Sequence, residues 1–189
     1  MAKITINITI SKARVLDEVA KTTAYIGSKS MSAEDLGTYE RVAVVDPDRE
    51  QLDRYWMEAC GGASMALAHW CTSANAQLLT HHAELDRDYK VTLQLPTNWN
   101  NAYNNALRES IMSYLINSIL SRWLLIVKKD EAEAYAALSS GNGAQIAQIL
   151  LERKRPARRG HGGDSGGDSA NGLWTGPALW DGPKLWGNE

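Results

Sequence analysis

Four histidines and two cysteines carry most of what side-chain chemistry this sequence offers. His81 and His82 stand near Glu84, Asp86 and Asp88, donor types able to hold a divalent cation. Adjacent residues on a strand or helix point apart, however, and no cysteine or further histidine falls at ligand spacing. That stretch reads as a solvated loop, and no metal site is expected. His69 and Cys71, two positions apart on a helical pattern, do not face one another and form no dyad. The run from Gly160 to Gly167 is glycine-rich but lacks the Lys-Ser/Thr and the helix that a phosphate-binding loop requires, so it reads as a linker. No catalytic residue and no cofactor is therefore assigned, and the chain is read as non-enzymatic.

Binding is better represented than catalysis. Leu173-Trp174-Thr175-Gly176-Pro177-Ala178 is followed by Leu179-Trp180-Asp181-Gly182-Pro183-Lys184 and by Leu185-Trp186-Gly187, a repeat of period six. Gly-Pro pairs cannot propagate a helix, and proline fixes an extended or turned backbone. Leu173, Trp174, Leu179, Trp180, Leu185 and Trp186 are thus anchors on a semi-rigid arm, too few to bury one another. Trp is the side chain most enriched among interface hot spots. Docking on a partner and folding back on the chain's own body both remain open. A second candidate is the basic cluster Arg153, Lys154, Arg155, Arg158 and Arg159. Five cations in seven residues would neutralise phosphates in a salt-dependent, sequence-independent way. A cationic last turn equally suits the negative end of a helix dipole.

Composition bounds the rest. The 189 residues are 44% hydrophobic and 22% charged, an ordinary globular mix, and the net charge of −2 does not advertise a nucleic-acid binder. Seven Trp, seven Tyr and no Phe mean that every large aromatic ring carries a polar handle, which suits half-buried positions. Cys60 and Cys71 cannot form a framework of staples and read as small buried hydrophobes in a reducing compartment. The alternating start is not the apolar core of a signal peptide. No apolar stretch is read as spanning a bilayer, so no membrane partner is expected.

The elements that must position these segments are mostly helical. Ile4, Ile6, Ile8 and Ile10 alternate with polar residues, the period of a half-buried strand. Ser11 is a candidate N-cap for a helix over 12–27. Residues 28–46 are ambiguous, with Leu36 and Tyr39 suiting a short helix and Val42 and Val44 a strand. Asp46, Pro47 and the acids behind them mark a helix start. Leu52, Trp56, Ala59, Ala63, Leu67 and Trp70 form its apolar stripe, and Gly61-Gly62 invites close approach by another helix. Tyr89–Pro96 alternates again, and Pro96 argues against a central place in a sheet. A long helix from about Asn101 and a final helix, loosened near Ser139–Gly143, complete the pattern. The expected fold is mainly α (α+β): residues 1–152 a helical bundle with two or three short strands, 153–172 a basic then Gly/Ser/Asp-rich linker, and 173–189 an extended docking arm.

The body, residues 3–152, resembles a family of small proteins encoded in the virion-structure modules of phages and prophages from gut anaerobes. The resemblance rests on Ile6–Lys12, Glu18–Gly27, Asp48–Trp56, the strand ending at Leu95, Ser118–Trp123 and Asp130–Tyr135. It implies a structural protein of the neck, as a head–tail connector ring subunit, or of the tail, as a completion or terminator protein. It also implies a homo-oligomer with other virion proteins (portal, adaptor or tail components) as partners, located in the virion after assembly in the host cytoplasm. Non-specific DNA contact through residues 153–159 is the alternative from another class. The segment beyond residue 153 departs from the family pattern.

Overall fold

The computed structural model describes residues 3–30, 37–74 and 88–154. The isoleucine alternation becomes strand β1 (Lys3–Ile10), with Ile6, Ile8 and Ile10 buried and Thr5, Asn7 and Thr9 exposed. Helix α1 (Lys12–Ser30) runs one turn past the expected end, and Val15, Val19, Thr23 and Ile26 form its buried stripe. Its first N–H groups are not served by Ser11 alone. The Ser11 carbonyl accepts from Val15, while Lys12 donates its N–H to the Asp88 carboxylate at 3.0 Å.

The ambiguous stretch resolves, where described, as a short helix α2 (Thr38–Val42) and no strand. Val44 donates its N–H to Thr23 Oγ1, which ties this connection to α1. The Asp46-Pro47 signal produces a single 3-10 turn (Asp46–Asp48) ahead of helix α3 (Arg49–Leu67), two residues later than the sequence suggests. The Asp48 carboxylate turns back to accept the Val45 N–H at 2.9 Å.

Helix α3 stops at Leu67, so Cys71 does not share a helix with Cys60. It opens strand β2 (Cys71–Ala74) instead. Strand β3 (Tyr89–Pro96) lies between the other two in an antiparallel sheet of order β1–β3–β2. The expectation that Pro96 keeps this strand from the centre is therefore wrong. Pro96 is its last residue, opposite Lys3, and β2 pairs no further along than Leu93, with Gln94 donating to Trp70 O. The missing N–H falls beyond the reach of β2.

A 3-10 turn (Asn101–Tyr103) leads into helix α4 (Asn104–Val127), which pairs with α5 (Lys129–Leu151) as an antiparallel hairpin. Helix α5 is unbroken through Ser139–Gly143, against expectation. A Cβ at Gly143 would meet the Tyr114 ring at an ordinary 3.7 Å, and Gly141 faces open space, so nothing distorts the backbone there. Gly62 of α3 is tighter. A Cβ on it would lie 2.5 Å from the Tyr114 hydroxyl, so the glycine admits a phenol rather than a neighbouring backbone.

The core sits between the inner sheet face and α1, α3 and α4. Trp99, Leu107, Ile111, Leu115, Ile119 and Leu124 are fully buried in it. Each large apolar side chain removed from water contributes roughly 1.5–3 kcal/mol. The indoles satisfy their N–H groups inside: Trp99 donates to Ile149 O at 3.0 Å and Trp123 to Val42 O at 2.9 Å. Asn101–Val127 is long and apolar enough to cross a bilayer by length and composition, which the sequence reading did not anticipate. In this fold its inward stripe is core. The architecture is mainly α, a helical bundle with one small three-stranded sheet.

Candidate docking site

The two outer strands of the sheet differ in length and regularity. β1 pairs with β3 residue for residue along all eight positions, from Lys3 opposite Pro96 to Ile10 opposite Tyr89. Gln94 donates its N–H toward the β2 side. Backbone groups alternate sides along an antiparallel strand, so Val91, Leu93 and Leu95 bond to β1 through Ile8, Ile6 and Ile4. The N–H and C=O groups of Thr5, Asn7 and Thr9 then aim outward, and among the described residues no strand pairs with them.

A groove runs beside this outer edge. One recess of about 290 Å³ is lined by Ile4, Thr5, Ile6, Asn7, Trp99, Asn101 and Asn104. A second, of about 250 Å³, is lined by Asn7, Ile8, Thr9, Asn104, Asn105 and Arg108. Consecutive β1 residues line both, as they must where a strand presents its backbone edge. The opposite wall comes from the start of α4, whose amides and guanidinium are exposed. Thr92 Oγ1 donates to the Asn7 amide oxygen on the solvent face, at 2.9 Å, which holds Asn7 in place.

The near end of the groove is also where the described chain ends. Arg153 forms an isolated antiparallel bridge with Trp99, and Lys154 donates its N–H to Asn98 O at 2.7 Å. Of the basic cluster, Arg153 turns its guanidinium back onto Leu150 O and Glu152 O, at 2.9 and 3.1 Å, and so caps α5. Its charge serves the helix terminus, as the dipole argument anticipates. Arg155, Arg158 and Arg159 lie outside the described residues, as do Leu173, Trp174, Leu179, Trp180, Leu185 and Trp186. The structure therefore brings Arg153 and Lys154 together with Asn98 and Trp99, a pairing that the sequence did not suggest.

Elsewhere the chemistry is quiet. A cleft of about 670 Å³ between α1 and α3 is lined by Leu16, Val44 and Leu52 together with Lys12, Asp53 and Asp88. Its charges are already engaged: Lys12 Nζ pairs with Asp53 at 2.8 Å, and Asp88 caps α1. Burial pushes the Cys60 thiol up, which keeps it protonated and a poor nucleophile. Burial likewise raises the Tyr89 phenol, which its contact with Ser64 Oγ at 3.1 Å only partly opposes. His69 packs edge-on against Trp70. His81, His82, Glu84 and Asp86 lie outside the described residues, and among the described ones no three His, Cys, Asp or Glu side chains gather as a metal site.

Comparison of the chain with protein-family models, with curated proteins and with solved structures gives no match.

Proposed function

We propose that this chain is a non-enzymatic assembly subunit of a tailed-phage virion, a neck or head–tail connector protein that works as a ring. The observation that carries the reading is the long outer edge of β1, in register throughout and with no strand paired to it among the described residues, a template on which another chain can add a strand. The Leu-Trp arm supports it from the sequence, because anchors spaced on a Gly-Pro backbone need a surface they do not themselves supply. The resemblance of residues 3–152 to virion-module proteins supplies the biological setting. Cyclic symmetry is the ordinary way for such a head-to-tail contact to close. A tail-completion or tail-terminator role uses the same surfaces.

Light scattering on the purified full chain tests the reading, together with mass spectrometry of purified particles that carry the encoding genome. A mass several times that of the protomer and the protein's presence in particles are expected. A solitary protomer at every concentration, absent from particles, overturns it.

A further inference from the structure

We propose that the groove beside β1 receives the Leu-Trp arm of a second copy of this chain, laid down as an added strand. The inference rests on the assembly reading above and names the surface and segment through which copies join.

Three features converge on this occupant. The first is where the described chain ends. Lys154 donates its N–H to Asn98 O, and the neighbouring Trp99 lines the first recess, so the described residues end beside the groove, with 35 residues of sequence beyond them. That length reaches up to roughly 115 Å when extended. Leu173 is separated from Lys154 by 18 residues, far more chain than the adjacent recess requires. Such a span suits the corresponding groove on a neighbour.

The second is the period of the repeat. Six is an even number, and side chains and backbone groups in a strand alternate with period two. In an arm laid down as a strand, Trp174, Trp180 and Trp186 would share one face. Pro177 and Pro183 share one edge, and it is the edge opposite to the one on which the Trp residues present their N–H groups. β1 is eight residues long, so it pairs with little more than one six-residue repeat, and with the Trp edge against Thr5, Asn7 and Thr9 the proline of that repeat removes no ladder hydrogen bond.

The third is the chemistry of the far wall. The edge that carries Pro177 and Pro183 is short of donors and keeps its carbonyls. Asn101, Asn104, Asn105 and Arg108 stand across the groove with exposed amide and guanidinium N–H groups, which are donors for those carbonyls. The groove thus offers a backbone ladder on one side and donors on the other.

Complementation between two full-length variants tests this. Asn7→Pro removes an outward N–H while leaving the bonds from Ile6 and Ile8 to β3 in place. A chain carrying Trp174→Ala, Trp180→Ala and Trp186→Ala keeps the groove and loses the anchors. Each alone should sediment as a protomer, with self-association weakened at least tenfold relative to the unsubstituted chain. An equimolar mixture should form a one-to-one pair, since one chain supplies the arm and the other the groove. If Asn7→Pro loses helical circular dichroism, Asn105→Trp, which fills the second recess from an exposed position, takes its place with the same expectations. Undiminished association of the groove variant overturns the inference and leaves the assembly reading standing. An unsubstituted chain that is monomeric throughout, and missing from particles, overturns both. Failure of the two variants to pair, when each alone is monomeric, places the arm on its own body or on a foreign protein and also overturns the inference.

Discussion

The two outer strands of the sheet are unlike. β2 is four residues long, and its register with β3 slips between Cys71 and Ser73. Short length and a bulge are both ways of discouraging further pairing. β1 is eight residues long and in register throughout. Neither proline nor an inward-facing charge interrupts it. Among the described residues the same central strand thus carries a short, bulged neighbour on one side and, on the other, a longer strand with which no further strand pairs.

The largest effect comes from breaking the strand that both edges share. Leu93 is fully buried and stands opposite Ile6 on one side and Cys71 on the other. Leu93→Ala should cost about 2–5 kcal/mol in urea unfolding through the lost transfer energy and the cavity. A cost under about 1 kcal/mol would mean that the sheet is not part of the core.

Next in size is an alkaline limit under the β2 side. Cys60 and Tyr89 both have raised pKa values, principally from burial. The unfolded chain releases these protons first, so the stability they contribute is complete below the ordinary thiol and phenol values and is lost as pH rises above them. A fall on the order of 2–4 kcal/mol by about pH 11 is expected, reduced by Cys60→Ala with Tyr89→Phe. A flat profile across that window would contradict the burial of both groups.

Gly62→Ala, on the helix that precedes β2, should cost about 0–2 kcal/mol net, because the collision of its Cβ with the Tyr114 hydroxyl is offset by about 1 kcal/mol of helix propensity. Tyr114→Phe should restore most of that loss, and additivity of the two substitutions would exclude the collision. Removing the Asp88 carboxylate, which caps α1 next to the inner end of β1, should cost about 1 kcal/mol when Asp88 is replaced by Ala. The smallest effect on stability is expected from Asn7→Pro on the open edge, under about 1 kcal/mol, since only an outward N–H and one exposed side-chain bond are lost. A large loss there would show that the edge is not open at all.

Much of this contrast could be read before folding. Ile4 to Ile10 and Tyr89 to Leu95 alternate with β-branched and aromatic residues, so both long strands follow from period two alone. β2 could not be found in that way. Cys71-Thr72-Ser73-Ala74 has little apolar pattern and follows α3 after only three residues, so it reads as the end of the helix. Pro96 misled because its position relative to the end of β2 depends on pairing between distant segments. Gly141 and Gly143 suggested a break, but the packing of α5 along α4 outweighs a propensity cost of about 1 kcal/mol per glycine. The Asp88 cap joins residues 76 apart and has no local signature. The Leu-Trp period marks the arm as a binding segment in the sequence, and it lies outside the described residues. The groove was not legible, because Asn101, Asn104, Asn105 and Arg108 read as an ordinary polar helix start until β1 lies beside them.

The fastening of Arg153 and Lys154 to Asn98 and Trp99 has a mechanical consequence. Tension applied at residue 154 does not begin by peeling α5 open turn by turn. It loads a backbone bridge, a short hydrogen bond and the buried Trp99 indole, which is itself tied to Ile149. Traction is thereby shared between the final helix and the loop at the end of β3, and the body resists a pull on its last strand-like residues as one unit.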